Sequence, residues 1–363
     1  MTTPTPQPGL MQITPYKGGE SELEGLDNVR KLSANETPLG ASPRAIAALK
    51  EMAGTVHRYP DGGAVRLRQM LGQRFGLPAD NLICGNGSDE LIGLITSAYA
   101  GVGDEVLYSR HGFLMYPIAA MANGATPVAA PETDFCADVD ALLAAVTPRT
   151  RILFLANPNN PTGTYLSRDE VARLRDGLRD DILLVIDAAY AEYVGKNDYD
   201  SGAALVAKHD NVIMTRTFSK IFGLAGLRVG WAYAAPEIIS VLHRARGPFN
   251  TNLLAQAAAI AALEDTAHLD AAREHNDRWL PWMTQKLQAL GFDVPPSIGN
   301  FVLARFPGGP DQANAADADL RARGIILRQM GGYGLPEALR ITIGTRADNE
   351  AVVEALQQFL AEG

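Results

Sequence analysis

The sequence predicts an α/β fold, and two observations lead to that prediction. Helical and strand patterns alternate over most of the 363 residues, as expected where helices cover a central sheet. Several predicted strands are short apolar runs bounded by polar or turn residues, which is typical of a mostly parallel sheet that is buried on both faces. A chain of this length is expected to form about two domains.

The first predicted elements follow a proline-rich stretch at residues 1–9, which we expect to form a mobile arm. Pro43 predicts the start of a helix over residues 44–53, because proline is favoured in the first turn. Residues 82–84 predict a strand. The next helix is expected to begin near Ser88.

Three further apolar runs predict the centre of the sheet, at residues 151–156, 181–186 and 211–216. Ser167 and Glu170 have the spacing of a capping box, which predicts a helix between the first two of these strands. Each apolar run is followed by polar residues. These polar residues are the candidates for chemistry.

The last third of the chain predicts a separate, compact α+β unit. An Ala/Leu-rich stretch at 252–264 and a charged amphipathic stretch that continues to residue 290 predict two long helices. The elements predicted beyond them are strands at 301–305, 324–328 and 339–344, a helix at 312–323 and a last helix from about residue 348. We therefore expect residues 1–39 to form an N-terminal arm and part of a small domain, 40–250 a large cofactor domain, and 251–363 the C-terminal small domain.

Composition and charge exclude several classes of protein. With 41 acidic and 32 basic residues the formal charge is −9, which argues against a general nucleic-acid binder. Cys84 and Cys136 are far apart and lack the spacing of a disulfide framework or a zinc site. Because neither a secretory signal nor a membrane-spanning apolar run is present, we expect a cytoplasmic protein.

The most informative segment is Thr-Phe-Ser-Lys at residues 217–220, directly after the predicted strand at 211–216. A buried lysine is costly unless its amine is neutral or covalently bonded, and those conditions make lysine a nucleophile and a base. A surface lysine in a polar turn would explain Lys220 taken alone. Its surroundings favour the chemical interpretation.

Two neighbouring strand ends carry further polar groups. Asp187 and Tyr190 follow the strand at 181–186, at the edge where ligands bind in open α/β sheets. A buried aspartate needs a cationic partner such as a protonated pyridine nitrogen, although a helix N-cap would also explain Asp187. Asn160 lies in a proline-rich turn after the strand at 151–156, which places an amide at the same edge.

A glycine-rich junction at residues 85–90 joins the strand at 82–84 to a helix. Glycine lets the backbone approach a ligand closely, and a helix N-terminus presents unpaired N–H groups to an anion such as phosphate. A capped helix start without a ligand would have the same pattern. A lysine, an acid, a phenol, an amide and this junction each follow a predicted strand. We therefore predict that they form one active site.

In this combination the chain resembles the fold-type I pyridoxal-phosphate aminotransferases, and within them the histidinol-phosphate aminotransferase family. The order Asn160, Asp187, Tyr190, Lys220, Arg228 carries the resemblance most specifically. Other matching segments cover nearly the whole chain and lie at residues 14–16, 32–36, 58–62, 85–90, 159–163, 187–190, 217–220, 226–230, 248–250 and 340–344.

The resemblance implies the fold-type I architecture, pyridoxal 5'-phosphate as cofactor, and a role for each matching residue. Lys220 would bond to the cofactor and move protons, and Asp187 would pair with the pyridinium nitrogen. Tyr190 and Asn160 would bind the phenolic oxygen of the cofactor. The remaining residues implied at its ring and phosphate are Ser88, Asp89, Phe113, Thr217, Ser219, Arg228 and Tyr59 of a second subunit, so that a homodimer is expected.

The same resemblance implies transamination of L-histidinol phosphate with 2-oxoglutarate, a step of histidine biosynthesis. Tyr16, Asn35, Asn160, Arg328 and Arg340 would line the substrate cavity, where guanidinium groups can bind a phosphate or a carboxylate. An exposed ion pair would be an alternative role for either arginine.

The chain departs from the commonest family pattern at two places. His111-Gly112-Phe113 stands where many relatives have Pro-Thr-Tyr, so Phe113 can stack on a ring but has no hydroxyl. Thr37 stands where relatives commonly have asparagine. We expect His111 to be a neighbour of the site, and Tyr59 could also be a packed surface aromatic.

Three other functions remain open from the sequence. A broad-specificity aromatic amino acid aminotransferase would fit, because a pocket for imidazole tolerates a phenyl ring. A pyridoxal-phosphate-dependent decarboxylase of phosphorylated amino acids uses a similar scaffold. An effector-sensing regulator is disfavoured by the acidic charge and by the short segment before the fold.

Overall fold

The computed structural model describes residues 4–6, 9–16, 18–26 and 28–362, so part of the predicted arm at residues 1–9 lies outside the described residues. In chain order the strands are β1 (Arg30–Lys31), β2 (Leu82–Gly85), β3 (Glu105–Ser109), β4 (Thr126–Ala130), β5 (Glu132–Thr133), β6 (Cys136–Ala137), β7 (Thr150–Ala156), β8 (Leu183–Asp187), β9 (Val212–Thr217), β10 (Gly230–Ala234), β11 (Phe301–Arg305), β12 (Ile325–Ile326), β13 (Arg328–Gln329) and β14 (Ala338–Thr342).

The largest sheet within these residues has the strand order β2-β10-β9-β8-β7-β3-β4. Strand β10 runs antiparallel to both of its neighbours, and the other pairs are parallel. The register places Asp187 opposite both Ala156 and Thr215. The carboxyl ends of β7, β8 and β9 therefore lie level at one edge, as predicted for the polar residues that follow them.

Helices cover both faces of this sheet. The α-helices of the described residues, including those of the smaller unit, are in chain order α1 (Pro43–Met52), α2 (Val65–Phe75), α3 (Ser88–Tyr99), α4 (Met115–Ala122), α5 (Val139–Ala144), α6 (Arg168–Gly177), α7 (Ala203–Val206), α8 (Pro236–Ala245), α9 (Leu253–Glu264), α10 (Thr266–Ala289), α11 (Gly309–Ala322) and α12 (Arg346–Glu362). One face packs against α1, α2, α6 and α9 and the other against α3, α4 and α8. None of the helices in the described ranges is long and apolar enough to cross a membrane.

Side chains at the predicted helix starts act as caps. The Ser42 hydroxyl accepts a hydrogen bond from the Ala45 N–H at 3.1 Å, directly before Pro43. The Ser167 hydroxyl accepts one from the Glu170 N–H at 3.3 Å. The capping box is only half formed, because the Glu170 carboxylate pairs with Arg173 instead of the Ser167 backbone.

A smaller unit lies next to the edge of the large sheet where β7, β8 and β9 end. Strands β11, β14 and β13 form an antiparallel sheet, and β1 pairs with β12 in parallel. Buried apolar residues of α10, α11 and α12 pack against these strands. The strand predicted at 324–328 is therefore two short strands, because the chain leaves one pairing partner for another at Leu327.

The division between the two units is informative about α9 and α10. Helix α9 packs against α1 and its alanines belong to the core of the large unit. In α10, Leu269 and Ala272 join that same core, whereas Met283 and Leu287 join the core of the small unit. The boundary at residue 250 stays a prediction, and this packing favours a boundary within α10.

Candidate active site

A cavity lies between the carboxyl ends of β7, β8 and β9 and the small unit. The sequence-predicted site residues that line it are Tyr16, Asn35, Ser88, Asp89, Phe113, Asn160, Asp187, Tyr190, Thr217, Ser219, Lys220, Arg228, Arg328 and Arg340. Only Tyr59, among the predicted site residues, lies away from the cavity of its own chain. Within the described ranges, no group of three or more His, Cys, Asp or Glu residues is arranged to hold a metal ion.

The Lys220 amine lies at the floor of the cavity, in the turn that follows β9. Its Nζ donates a hydrogen bond to the Ala34 carbonyl oxygen at 3.2 Å and lies 5.7 Å from the centre of the Tyr190 ring. Burial, aided by the positive charge of Arg340, lowers the pKa of Lys220 to about 8, against the opposing field of Asp89. A useful fraction of the amine is therefore neutral near neutral pH.

The Asp187 carboxylate ends β8 and is buried at the centre of the site. Its two oxygens accept hydrogen bonds from the Tyr116 hydroxyl at 2.8 Å and the Thr215 hydroxyl at 3.3 Å. Burial raises the pKa of Asp187 to about 6, and the bond from Tyr116 opposes that rise. Among the described residues no cationic side chain forms an ion pair with it, so a cationic ligand atom would complete its environment.

Tyr116 and Thr215 are functional neighbours that sequence reasoning missed. Thr215 lies opposite Asp187 in the β8–β9 register and shares a strand face with Thr217, so the period of two could have indicated it. Tyr116 lies fully buried near the start of α4 and stacks on Phe154 with ring centres 4.6 Å apart. A buried tyrosine hydroxyl in such an apolar helix needs a hydrogen-bond partner, and the sequence could have indicated Tyr116 on that ground.

The Tyr190 hydroxyl contacts the segment that follows β1. The Asn35 side-chain amide donates a hydrogen bond to the Tyr190 oxygen at 2.8 Å. Burial raises the pKa of Tyr190 to about 12, although the charge of Arg340 lowers it. Tyr190 is therefore a neutral phenol at neutral pH.

The start of α3 forms an anion cradle with the turn after β9. Ser88 begins the helix, whose first N–H groups have no intrahelical partner. The Arg228 guanidinium donates to the Ser219 hydroxyl at 3.2 Å and to Asp89 at 2.9 Å. Gly87 has a φ of 84°, a backbone conformation that favours glycine, and a methyl group there would also meet an Arg228 nitrogen at 2.5 Å.

Gly230 makes the same cradle possible from β10. A Cβ atom at this position would lie 2.5 Å from the Ser88 backbone nitrogen. The Thr217 hydroxyl accepts a hydrogen bond from the Ser219 N–H at 3.1 Å, which shapes the turn between β9 and Lys220. The backbone is thus drawn close around the place where an anion would bind.

Two arginines of the small unit line the same cavity as Lys220. The Arg340 guanidinium donates to the Ser33 carbonyl oxygen at 2.8 Å and also to the Asn160 side-chain oxygen. Its buried Nε has no acceptor among the described residues. The Arg328 guanidinium lies 5.7 Å from the centre of the Tyr16 ring.

Phe113 lines the cavity near a hydrogen-bonded histidine and glutamate. Its ring packs edge-on to Tyr116, with ring centres 5.9 Å apart. Two residues earlier, the His111 Nδ1 lies 2.7 Å from a Glu132 oxygen, and the His111 backbone N–H donates to the other oxygen at 3.0 Å. His111 is thus held behind the cavity wall and does not line the cavity itself.

Tyr59 lies on the surface, with 81% of its area exposed. Its ring stacks on Phe249 with centres 4.6 Å apart and planes 21° apart. Phe249 is itself 43% exposed. The two rings form an apolar surface patch outside the cavity.

These groups fit a phosphorylated pyridine aldehyde. The cradle at Ser88, Ser219 and Arg228 suits its phosphate. The buried Asp187 carboxylate lacks a cation, which a protonated ring nitrogen would provide. A lysine amine of lowered pKa can bond to the aldehyde, and the guanidinium groups of Arg328 and Arg340 line the same cavity, where a second anion would bind.

Comparison with known proteins points the same way. Residues 27–356 match the family model of aminotransferase class I and II. The chain is 61% identical over 362 residues to a histidinol-phosphate aminotransferase of Paramagnetospirillum magneticum, with 99% of each chain covered. It is 58% identical over 359 residues to that of Rhodospirillum rubrum, covering 99% of this chain and 97% of the relative.

A solved structure gives the same fold. The crystal structure of histidinol-phosphate aminotransferase from Sinorhizobium meliloti, in complex with pyridoxal-5'-phosphate, matches with a TM-score of 0.87 at 29% identity. The match covers 91% of this chain and 90% of that one. The predicted fold-type I architecture is thereby confirmed.

Proposed function

This chain belongs to the class I and II aminotransferases, and we propose that it transfers the amino group of L-histidinol phosphate to 2-oxoglutarate with pyridoxal 5'-phosphate as cofactor. The products are imidazole-acetol phosphate and L-glutamate, and the reaction is a step of histidine biosynthesis. The observation that carries the proposal is that Arg328 and Arg340 line the same cavity as Lys220. The full-length identity to relatives of that activity supports the same substrate.

The cavity residues would divide the chemistry between them. When bound, the cofactor supplies an aldehyde that condenses with amines and a ring that withdraws electrons from the substrate carbon. Lys220, partly neutral because of burial, acts as the nucleophile and then carries the proton between carbon atoms. Asp187 holds the proton of the ring nitrogen, supported by Tyr116 and Thr215. Tyr190 and the Asn160 amide donate to the phenolic oxygen.

The cavity must accept two different anions in turn. Histidinol phosphate has a phosphate and no carboxylate, whereas 2-oxoglutarate has two carboxylates. A guanidinium fork binds either anion with paired hydrogen bonds, and Arg340 has an unpaired buried Nε available for this. Arg328 and the Tyr16 ring would hold the far end of the substrate.

A comparison of kcat/KM for L-histidinol phosphate and for phenylalanine, each with 2-oxoglutarate, tests the substrate. We expect a preference for histidinol phosphate of about tenfold or more, because an apolar pocket alone discriminates weakly and the phosphate adds charged contacts. A tenfold preference for phenylalanine would favour the aromatic aminotransferase instead. Release of CO₂ without a keto acid would identify a decarboxylase.

We further propose a homodimer in which Tyr59 reaches the cofactor phosphate of the neighbouring subunit. The Tyr59–Phe249 patch is apolar and exposed on this chain, as expected of a surface that a second copy would cover. Tyr59 has no contact with the cavity of its own chain. The apolar ring of Tyr59 suits a subunit interface, and its hydroxyl can donate a hydrogen bond to a phosphate at the border of that interface.

Mixed dimers of two inactive variants test this sharing. In a dimer of Lys220→Ala and Tyr59→Ala subunits, one site combines an intact Lys220 with the Tyr59 of the other subunit. We expect about half of the wild-type activity per dimer. If Tyr59 acted within its own chain, or if the protein stayed monomeric, both sites would remain defective and mixing would restore nothing.

We also propose a cytoplasmic location with reduced cysteines. Cys84 and Cys136 are both free thiols in the structure, and burial raises the pKa of each. Such thiols resist oxidation. Fractionation of cells that express the full chain would place the enzyme directly.

A further inference from the structure

Asn35 and Thr342 form a polar junction behind Tyr190, where the small unit meets the large one. Asn35 is 1% exposed and has a left-handed backbone with φ of 56°. Its backbone N–H donates to the Thr342 Oγ1 at 3.0 Å, and its carbonyl oxygen accepts from the Asn300 amide at 3.0 Å. Asparagine tolerates this backbone conformation better than most residues, and the two bonds hold it there.

The Thr342 hydroxyl decides which way the Asn35 side chain faces. Its oxygen accepts the Asn35 backbone N–H, and its own proton goes to the Asn35 Oδ1 at 3.2 Å. Were the side-chain amide reversed, its N–H₂ group would face Thr342. The Thr342 proton would then have no acceptor among the described residues, and an unpaired buried donor is disfavoured.

The orientation of Asn35 in turn fixes the direction of the Tyr190 proton. With Oδ1 toward Thr342, the Asn35 N–H₂ group faces the Tyr190 oxygen at 2.8 Å and donates to it. The Tyr190 hydroxyl cannot give its proton to the same N–H₂ group. Among the described residues Tyr190 has no other acceptor in the structure, so its O–H points into the cavity.

We propose that Thr342 is a positioning residue that acts through Asn35 to keep Tyr190 a hydrogen-bond donor toward the cofactor. The inference rests on the proposed function, because the group that receives the proton is the phenolic oxygen of the cofactor. A donor stabilises negative charge on that oxygen and lowers the pH at which the bound chromophore loses its proton. Without the Thr342 hydroxyl the amide can reverse, and Tyr190 would donate to Asn35 instead.

A pH titration of the visible absorption of the cofactor-loaded protein tests the proposal. The variants are Thr342→Val, which keeps the shape and removes the hydroxyl, and Thr342→Ser, which keeps the hydroxyl. Thr342→Ala serves as a second hydroxyl-free variant in case the valine protein does not fold. The measured quantity is the midpoint of the pH titration of the absorption band at about 400 nm. The KM for 2-oxoglutarate is measured on the same variants.

We expect the valine or alanine variant to raise the midpoint by roughly 0.5 to 1 unit, which corresponds to one weakened hydrogen bond, while the serine variant stays at the wild-type value. An unchanged KM for 2-oxoglutarate would show that Arg340, on the same strand, keeps its place. An unshifted midpoint in the hydroxyl-free variants, or an equal shift in the serine variant, would overturn the role of Thr342. A shift with a large rise in KM would instead assign the effect to Arg340. Failure of the wild type to form the band at all would refute the proposed function itself.

Discussion

The cavity has two walls that are built differently. The cofactor wall, comprising Ser88, Asp187, Thr217, Ser219, Lys220 and Arg228, comes from the ends of neighbouring strands and one helix start in the large unit. The substrate wall, comprising Tyr16, Asn35, Arg328 and Arg340, comes from segments that lie far apart in the chain. We propose that the cofactor wall supplies the chemistry common to both half-reactions and that the substrate wall selects the anion.

The cofactor wall is expected to give the largest loss of activity. Lys220→Ala removes both nucleophile and base, so we expect kcat to fall by about 10,000-fold or more. The visible band of the loaded protein should disappear with it. The matched control is Lys208→Ala, which changes an exposed lysine.

Steady-state transamination and an absorption spectrum check this prediction together. A residual activity within about a hundredfold of the wild type would mean that another amine does the work. The assignment of Lys220 to the cofactor wall would then be wrong.

Asp187→Asn should have the second-largest effect. The amide is neutral and nearly the same size, so the ring nitrogen loses its charged partner while the packing stays. We expect kcat to fall by about 1,000-fold, as for the loss of a strong electrostatic contact at a reacting group. Single-turnover kinetics with histidinol phosphate measures the step, and Asp176→Asn, an exposed aspartate, is the control. Near-normal turnover in Asp187→Asn would remove this residue from the mechanism.

The same substitution should stabilise the cofactor-free protein. The pKa of Asp187 is about 6 in the folded chain, above the ordinary aspartate value of 3.8, so the folded state binds an extra proton between these two values. The free energy of unfolding of the wild type therefore falls as pH rises through that window. Asp187→Asn has no carboxylate to ionise, so its stability does not fall in this way. We expect the variant to be more stable by about 2–3 kcal/mol at pH near 8, with little difference near pH 4.

Urea unfolding of the cofactor-free proteins at the two pH values checks this sign. Equal stability of variant and wild type at both pH values would show that the carboxylate is well compensated without a cofactor. The inference that Asp187 needs a cationic ligand atom would then be wrong.

The substrate wall should give smaller and more selective effects. Arg328→Ala removes a guanidinium that we place at the substrate phosphate, so KM for histidinol phosphate should rise about tenfold with kcat little changed. KM for phenylalanine should change by less than about twofold. Arg323→Ala, which is exposed, serves as the control. An equal rise for both substrates would mean that Arg328 does not distinguish the phosphate.

The sequence was most informative about the cofactor wall. Asp187 ends a buried strand, Lys220 and Asn160 lie in the turns that follow two neighbouring strands, and the parallel strand order carries all three to one edge. Local sequence therefore predicts both their position and their neighbours. The glycine-rich junction at 85–90 was also predicted from the sequence, whereas the close approach of Gly230 to the Ser88 backbone nitrogen was not.

Contacts that depend on register and packing could not be predicted in the same way. The Tyr116–Asp187 bond requires α4, which packs on β3 and β4, to place Tyr116 on Phe154 of β7 and within reach of the end of β8. The Thr342–Asn35 bond requires β14 to meet the segment after β1. The carbonyl oxygens of Ser33 and Ala34, which hold Arg340 and Lys220, carry no sequence pattern at all. The split of the strand at 324–328 likewise follows from a change of partner and not from local propensity.

The central claim is that the Lys220 amine is the attachment point of the cofactor. Borohydride reduction of the protein loaded with pyridoxal 5'-phosphate, followed by peptide mapping by mass spectrometry, tests it most directly. We expect a single stoichiometric adduct on the peptide that contains Lys220. An adduct on another lysine, or no stoichiometric adduct, would contradict the account.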